Sequence, residues 1–166
     1  MSAVAGSRPS PRAAAPPAAG APTYIGLVTR AIAFAVDAAI LNGVAIVVAA
    51  GVTLVLSVVS VSGDLEAWIA AAGGAAYLLW SVGYFATFWS TTGQTPGNRL
   101  MRIRVVAASG DAIRPRRAVL RFAALAVGAA ALLAGIWLIL IDERRRALHD
   151  FVARTVVVDE RQAGRV

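Results

Sequence analysis

One feature constrains the fold of this chain more than any other: from Ala38 to Gly63 the sequence carries no charged residue. A helix needs about 20 consecutive apolar residues to cross the hydrocarbon core of a bilayer, and this run is longer than that. Two further uncharged runs extend over 67–98 and 122–141. Hydrophobic residues make up 58% of the 166 residues and charged residues only 15%, which is typical of a membrane protein rather than a soluble one.

We therefore predict an all-α membrane protein with two or three transmembrane helices and a small cytoplasmic element of strands and turns. The membrane domain is expected over residues 23–158. Its apolar segments lie at about 32–60, 67–89 and 122–141. Trp68 and Tyr84, near opposite ends of the second segment, are typical of an aromatic belt at the membrane interfaces. Residues 1–22 are rich in Pro and Ala and predict a disordered tail, and a flexible C-terminal tail is expected at 159–166.

The stretch between the second and third apolar runs has a different character. In "MRIRVVA" polar and β-branched residues alternate and "SGD" follows, which predicts a strand, a turn, and then a short helix from about Pro115. After the third run, "RTVVVD" predicts another short strand. The segment "GQTPGNR" contains the turn-forming residues Gly93, Pro96 and Gly97 and predicts a tight turn. It lacks the Lys-Ser/Thr pair of a phosphate-binding loop.

The placement of arginine predicts the topology. All 16 basic residues are arginine; seven lie between 90 and 121 and six follow 141, whereas the 61–66 turn carries only Asp64 and Glu66. Cytoplasmic loops are enriched in basic residues, so the N-terminus and the 90–121 segment are expected in the cytoplasm and the turn on the opposite side.

The third apolar run admits two topologies. A complete crossing matches the natural length of one helix, but it would separate the two predicted strands and carry the arginines at 144–146 outside. A re-entrant segment, broken near Gly128 or Gly135, would keep both termini cytoplasmic and let the strands pair. Non-helical backbone at membrane depth is tolerated only where protein covers it. We favour the re-entrant form, and the sequence leaves both open.

Asp37 is the first candidate functional residue, because it directly precedes the longest apolar run. An acid at the centre of a membrane helix costs about 2.5–3.5 kcal/mol on insertion scales, so it usually faces a partner or a water-filled cavity. Arg30 lies seven residues earlier, on the same helix face. A cationic or polar neighbour is therefore expected beside Asp37. If the membrane begins near Ile40 instead, Asp37 is only an interfacial acid.

The second candidate is the pair His149–Asp150 in "RRRALHDFVARTVVV". His149 is the only histidine and the chain has no cysteine, so no metal site is expected. No nucleophile elbow is present, and nothing in the pattern indicates nucleic-acid binding, so we expect neither an enzyme, a cofactor nor a nucleic-acid partner. The pair is instead predicted to be a clasp, in which Asp150 accepts hydrogen bonds from an arginine fork. The candidate arginines are Arg30, Arg99 and Arg121.

Three blocks, in order, resemble the RDD family of small bacterial membrane proteins. In "RAIAFAVD", Arg30 and Asp37 stand at the family's arginine and first aspartate. The block "TTGQTPGNRLMRIRVVAASGDAIRPRRAVLR" resembles the family's glycine-containing motif and ends on its further arginine, here Arg121. The third block, "RRRALHDFVARTVVV", places Asp150 at the second aspartate. The sequence departs from the family at Arg154, where a glycine is often found.

The resemblance implies a multi-pass protein of the bacterial plasma membrane with a transport-related role, and two functions are open. The first is an accessory or assembly subunit, in contact with the lipid bilayer, anionic head groups, and other membrane proteins or further copies of this chain. Small residues such as Gly73 and Gly74 would let another helix approach closely, and Arg30, Asp37 and Asp150 would hold the fold together. The second is a homo-oligomeric ion or small-solute transporter that uses Asp37 at membrane depth.

Overall fold

A computed structural model describes residues 23–59, 62–130 and 138–163 of the chain. Most of these residues are helical, and two strands form a small sheet. The elements in chain order are α1 (Leu27–Val58), α2 (Gly63–Thr91), α3 (Pro96–Leu100), β1 (Ile103–Ala107), α4 (Pro115–Ala130), α5 (Leu138–Ile141), α6 (Leu148–Ala153) and β2 (Thr155–Asp159). The predicted disordered tail at 1–22 lies outside the described residues.

Helices α1 and α2 are both long and apolar enough to span a membrane, with mean hydropathies of 2.4 and 1.4 over their most apolar windows. Asp64 and Glu66 lie in the first turn of α2, where the helix dipole favours negative charge. The prediction of two long apolar helices accompanied by a small β element is therefore confirmed.

The contacts between α1 and α2 lie in the first half of α1. The ring of Phe34 stacks on that of Phe85 with centroids 5.9 Å apart, and the Tyr77 hydroxyl donates to the Asn42 side-chain oxygen at 3.2 Å. Beyond these contacts a groove of about 700 Å³ separates the two helices. The groove reaches Glu66 in the first turn of α2.

The two predicted strands pair with each other. β1 and β2 run antiparallel, with Val105 opposite Val157. The segment before α1 adds to the free edge of β2, because Tyr24 forms a bridge to Val158 and the Ile25 N–H donates to the Val157 carbonyl at 3.1 Å. This pairing brings the C-terminal part of the chain back beside the 90–121 segment.

Helices α4, α5 and α6 lie around the sheet. We call the sheet, α3 and these three helices the lobe. α4 packs against both α2 and α6, and the rings of Phe122 and Phe85 lie 5.4 Å apart. α5 returns to the same lobe, where Ile139 is buried. The break in the third apolar run was predicted near Gly128 or Gly135. Gly128 lies within α4, which ends at Ala130, and Gly135 lies outside the described residues.

The segment "GQTPGNR" forms a turn that leads into a helix rather than a turn alone. Gly93 has a positive φ of 71°, a conformation that favours glycine. Thr95 is the N-cap of α3: its hydroxyl accepts from the Asn98 N–H at 3.2 Å, and Pro96 occupies the first helical position. Both residue types are favoured at those helix positions.

The C-terminal segment is ordered beyond the point where a flexible tail was predicted. β2 extends to Asp159, and Glu160–Gln162 form a 3-10 turn. The Gln162 side-chain oxygen accepts from the Thr23 N–H at 2.5 Å, so this turn is tied to the segment before α1. Residues 164–166 lie outside the described part of the chain.

Arg154 ends α6 in a left-handed conformation, with φ 52° and ψ 52°. This conformation costs a non-glycine residue about 1–2 kcal/mol. Arg154→Gly should therefore raise the free energy of unfolding by about 0.5–1 kcal/mol. This is less than the full cost of the strain, because the greater entropy of glycine in the unfolded chain offsets part of the gain. Thermal unfolding in detergent measures the change. Arg154→Ala removes the same side chain but keeps the backbone strain, so stabilisation by Ala equal to that by Gly would contradict this explanation.

Candidate functional site

Asp37 is almost fully buried, with 2% of its surface exposed. One carboxylate oxygen, Oδ1, accepts from the Tyr84 hydroxyl and from the Gly97 N–H, both at 2.8 Å. The other, Oδ2, accepts from the Thr95 hydroxyl at 2.5 Å. The donors come from α2 and from the start of α3, so this one carboxylate joins three helices.

The expected neighbour of Asp37 is therefore polar rather than cationic. All three donors to Asp37 are neutral groups. Arg30, the cation on the same face of α1, bonds Asp150 instead. Hydrogen bonds from neutral donors satisfy a buried carboxylate without requiring a second buried charge.

Gly97 lets α3 approach α1 closely. A Cβ atom at this position would lie 2.0 Å from the Ala33 carbonyl oxygen and 2.9 Å from the Asp37 Cγ. The backbone N–H of Gly97 reaches Asp37 only because no side chain stands between the two helices. Of the three predicted turn residues, Gly93 provides the positive φ, Pro96 begins α3, and Gly97 provides this contact.

Asp150 lies at the centre of a second buried cluster and has no exposed surface. Its Oδ2 accepts from Arg30 Nη1 at 2.5 Å and from the Ala147 N–H at 2.9 Å, and its Oδ1 accepts from Arg121 Nη1. Arg121 Nη1 also donates to the hydroxyl of Thr155. The cluster therefore joins α1, α4 and α6 to the start of β2.

Two of the three candidate arginines, Arg30 and Arg121, donate to Asp150, each through a single nitrogen rather than as a bidentate fork. Arg30 also donates from Nε to the Ile25 carbonyl at 3.1 Å and from Nη2 to the Arg145 carbonyl at 2.8 Å. The third candidate, Arg99, is exposed in the last turn of α3 and does not contact Asp150. An arginine at a helix C-terminus is favourable there because of the helix dipole.

Arg121 is 4% exposed and packs on an aromatic ring. Its Cζ lies 4.9 Å from the centroid of Trp89, which is itself 5% exposed. Burial alone would raise the pKa of Asp150, but the charges of Arg121 and Arg30 hold that pKa well below its ordinary range. Asp150 is therefore an anion between two cations at every physiological pH.

His149 lies beside this cluster but does not hydrogen-bond to it. Its Nε2 is 3.8 Å from Asp150 Oδ1, beyond hydrogen-bonding distance. Burial and the nearby charge of Arg121 lower the pKa of His149 from 6.5 to about 4. In the predicted clasp the aspartate therefore makes the bonds, and the histidine is a neutral neighbour.

The neutral state of His149 predicts a pH dependence of stability. The folded-state pKa of about 4 lies below the unfolded value of 6.5, so between these values the unfolded chain binds more protons. Stability should fall as the pH is lowered through this window, by up to about 3 kcal/mol. His149→Gln should remove most of this decline, as measured by unfolding in detergent between pH 7 and pH 4.5. An equal decline in the variant would assign the effect to other groups.

Sequence reasoning missed three hydroxyl groups of the site. Tyr84 was assigned to an aromatic belt, but its hydroxyl bonds Asp37, because the lobe covers this end of α2; Trp68, at the other end, is 75% exposed. Thr95 had a local signal, since a threonine before proline is typical of a helix start. Thr155 had none.

In both clusters, protein groups satisfy the aspartate. Within the described residues, no three His, Asp or Glu side chains are grouped so that they could hold a metal ion. Each aspartate is hydrogen-bonded through both oxygens. The two clusters therefore attach the lobe to the two long helices.

The model of the RDD family matches the chain over residues 24–154. This range includes Asp37, Asp150, Arg30 and Arg121, and Thr155 lies one residue beyond it. No curated protein and no solved structure gives a significant match to the chain.

Proposed function

Because the chain belongs to the RDD family, we propose that it is a multi-pass protein of the bacterial plasma membrane and a non-enzymatic accessory or assembly subunit of a transport-related complex. The observation that carries this proposal is the hydrogen bonding of Asp37. A transported cation or proton needs carboxylate lone pairs that it can reach, whereas three protein donors occupy three of the four lone pairs of Asp37, and only 2% of the residue is exposed. This pattern supports a structural role over the alternative of a homo-oligomeric ion or small-solute transporter.

The length of α1 supports a membrane position for these clusters. From Ala38 to Val58 the helix rises about 31 Å, which matches the thickness of the hydrocarbon core. This stretch is largely exposed to the surroundings. Asp37 then lies at one boundary of the hydrocarbon, and the sheet and its arginines lie beyond it. We place this side, with the N-terminus, in the cytoplasm, because arginines concentrate there.

The third apolar run is proposed to be re-entrant. At one described end α4 packs against α6, and at the other Ile139 of α5 lines a cavity together with Ile103 and Val157 of the sheet. Antiparallel pairing of β1 with β2 requires that the chain before α4 and after α6 lie together. Both termini are then cytoplasmic, and only α1 and α2 cross the bilayer completely.

The proposed contact surface for a partner is the groove between α1 and α2. Small residues line it on both helices and let a third helix approach closely; they include Ala45, Ala49, Gly73 and Ala76. Glu66 lies at its outer end, where it would pair with a basic or hydroxyl group of the occupant. We therefore propose that the groove holds a transmembrane helix of a partner subunit.

Two neighbouring glycines provide a matched test. Gly73 lines the groove and Gly74 does not, and an added Cβ at either meets no atom within 4 Å. Gly73→Leu should therefore remove a partner that co-purifies with the full chain in mild detergent, whereas Gly74→Leu should retain it. Both variants are expected to accumulate to the wild-type level.

Reconstitution of the purified chain alone tests the alternative function. Liposomes that contain it should show no more flux across Na⁺, K⁺ or H⁺ gradients than empty liposomes. Flux that Asp37→Asn abolishes would overturn the proposed function. A complex that neither glycine variant changes would overturn the assignment of the groove as its contact surface.

A further inference from the structure

A second cavity, separate from the groove, lies among α1, α4 and α5 and has a volume of about 450 Å³. Most of its wall is apolar. This part of the wall includes Leu27, Phe34, Phe122, Leu125, Ala126 and Ile139. Arg30, Arg121 and His149 also line the cavity. A cavity of this size, apolar with a few polar groups, has the properties of a small-ligand site.

The charges at the polar part of the wall are not balanced locally. Arg30 and Arg121 share the single negative charge of Asp150, and His149 adds no charge near neutral pH. Asp37 also borders the cavity, but it lies about 10 Å from Arg30 along the helix axis and is hydrogen-bonded by neutral groups. The cluster around Asp150 therefore retains an excess positive charge beside the cavity.

Two hydrogen-bond donors near this charge have no partner in the described part of the chain. They are Nε of Arg121 and Nε1 of Trp89, and both residues line the cavity. A buried donor without an acceptor is costly. Both nitrogens are shielded from water. An acceptor must therefore enter the cavity to reach them, and the Arg121 side chain must shift toward that acceptor.

We propose that this cavity binds an anionic amphiphile: a singly charged carboxylate or phosphate ester that carries an acyl chain. The head group pairs with Arg30 and Arg121, and the chain lies along Phe34 and Leu125. A basic pocket at the cytoplasmic boundary of a bilayer is supplied with such molecules by the inner leaflet. The site does not depend on the proposed partner groove, so failure of one proposal leaves the other standing.

Binding of labelled oleate to the purified full chain in a non-ionic detergent tests the proposal. Saturable binding of one oleate per chain is expected. Methyl oleate has the same chain without the charge. Its affinity should be lower by at least about tenfold, because it loses the charge-assisted hydrogen bonds. Equal binding of the acid and its ester would overturn the proposal.

Tryptophan substitutions at two alanines of α1 test the location of the site and leave the residues of the Asp150 cluster unchanged. Ala31 lines the cavity, so the indole of Ala31→Trp should occupy space in it and abolish oleate binding. Ala39, on the same helix, does not line the cavity, so Ala39→Trp should bind oleate as the wild type does. Equal melting temperatures verify that both variants fold. Unchanged oleate binding by Ala31→Trp would place the ligand elsewhere and overturn the assignment.

Competition distinguishes the two sources of the head group. If phosphatidylglycerol displaces oleate and phosphatidylcholine does not, the site accepts the phosphate head group of an anionic phospholipid. If neither displaces it, the site is specific for free carboxylates. Equal displacement by the zwitterionic lipid would show that the excess charge plays no part, which contradicts the proposal.

Discussion

Replacement of Asp150 by asparagine is expected to lower the free energy of unfolding by about 3–5 kcal/mol. The carboxylate is fully buried between Arg30 and Arg121, and Arg121 is itself 4% exposed. Asparagine keeps the shape but removes the charge, so the two guanidinium groups face each other without an anion. Since domains are typically stable by only about 5–15 kcal/mol, we also expect a lower level of Asp150→Asn protein in the membrane.

The neighbouring pair Asp142–Arg146 provides the control. Its atoms are 2.8 Å apart, but its side chains are 15% and 26% exposed and four residues apart in sequence. Such partly solvated pairs contribute at most about 1 kcal/mol. In detergent, the loss of unfolding free energy should therefore be several-fold smaller for Asp142→Asn than for Asp150→Asn. Equal losses would mean that the Asp150 cluster does not carry the stability assigned to it.

Substitution of Gly97 by alanine is expected to destabilise the fold by about 3 kcal/mol, at the upper end of the usual cost of overpacking. The added Cβ would lie 2.0 Å from the backbone oxygen of Ala33, so relief requires that α3 move away from α1. That movement would lengthen the bonds from Gly97 and Thr95 to Asp37. The steric and hydrogen-bonding losses therefore occur together.

Gly43 is the matched control for Gly97. It lies on α1, where an added Cβ meets no atom within 4 Å. Alanine is favoured over glycine in a helix by about 1 kcal/mol, so Gly43→Ala should be neutral or slightly stabilising. The two variants are compared by their melting temperatures and by their levels in the membrane. A Gly97→Ala protein as stable as the Gly43→Ala protein would show that α3 and α1 do not need this close contact.

The features that the sequence predicted are those with a local pattern. Uncharged runs indicated α1 and α2, and alternation of β-branched residues indicated β1 and β2. The pairing of Asp150 with arginines was predictable because an acid beside several arginines has few other ways to be satisfied. The pairing of the strands then followed from the need to satisfy their backbone groups.

The partners of Asp37 were not predictable because they are neutral and distant in sequence. Tyr84 is 47 residues away and Thr95 is 58 residues away, and neither position has a charge that would suggest the pairing. The arginine two turns earlier on the same helix was a misleading guide, since Arg30 bonds an aspartate 120 residues away. Helix periodicity shows which residues share a face, but tertiary packing decides which of them meet.

The central claim is that Asp37 holds α1 to its neighbours through neutral hydrogen bonds, and a double-mutant cycle tests it most directly. Free energies of unfolding are measured for Asp37→Ala, Tyr84→Phe and the double variant. The cycle is repeated with Tyr77→Phe, since Tyr77 lies on the same helix but bonds Asn42. We predict a coupling of about 1–2 kcal/mol between Asp37 and Tyr84, and additivity within about 0.5 kcal/mol between Asp37 and Tyr77. Additive effects of Asp37→Ala and Tyr84→Phe would contradict the claim.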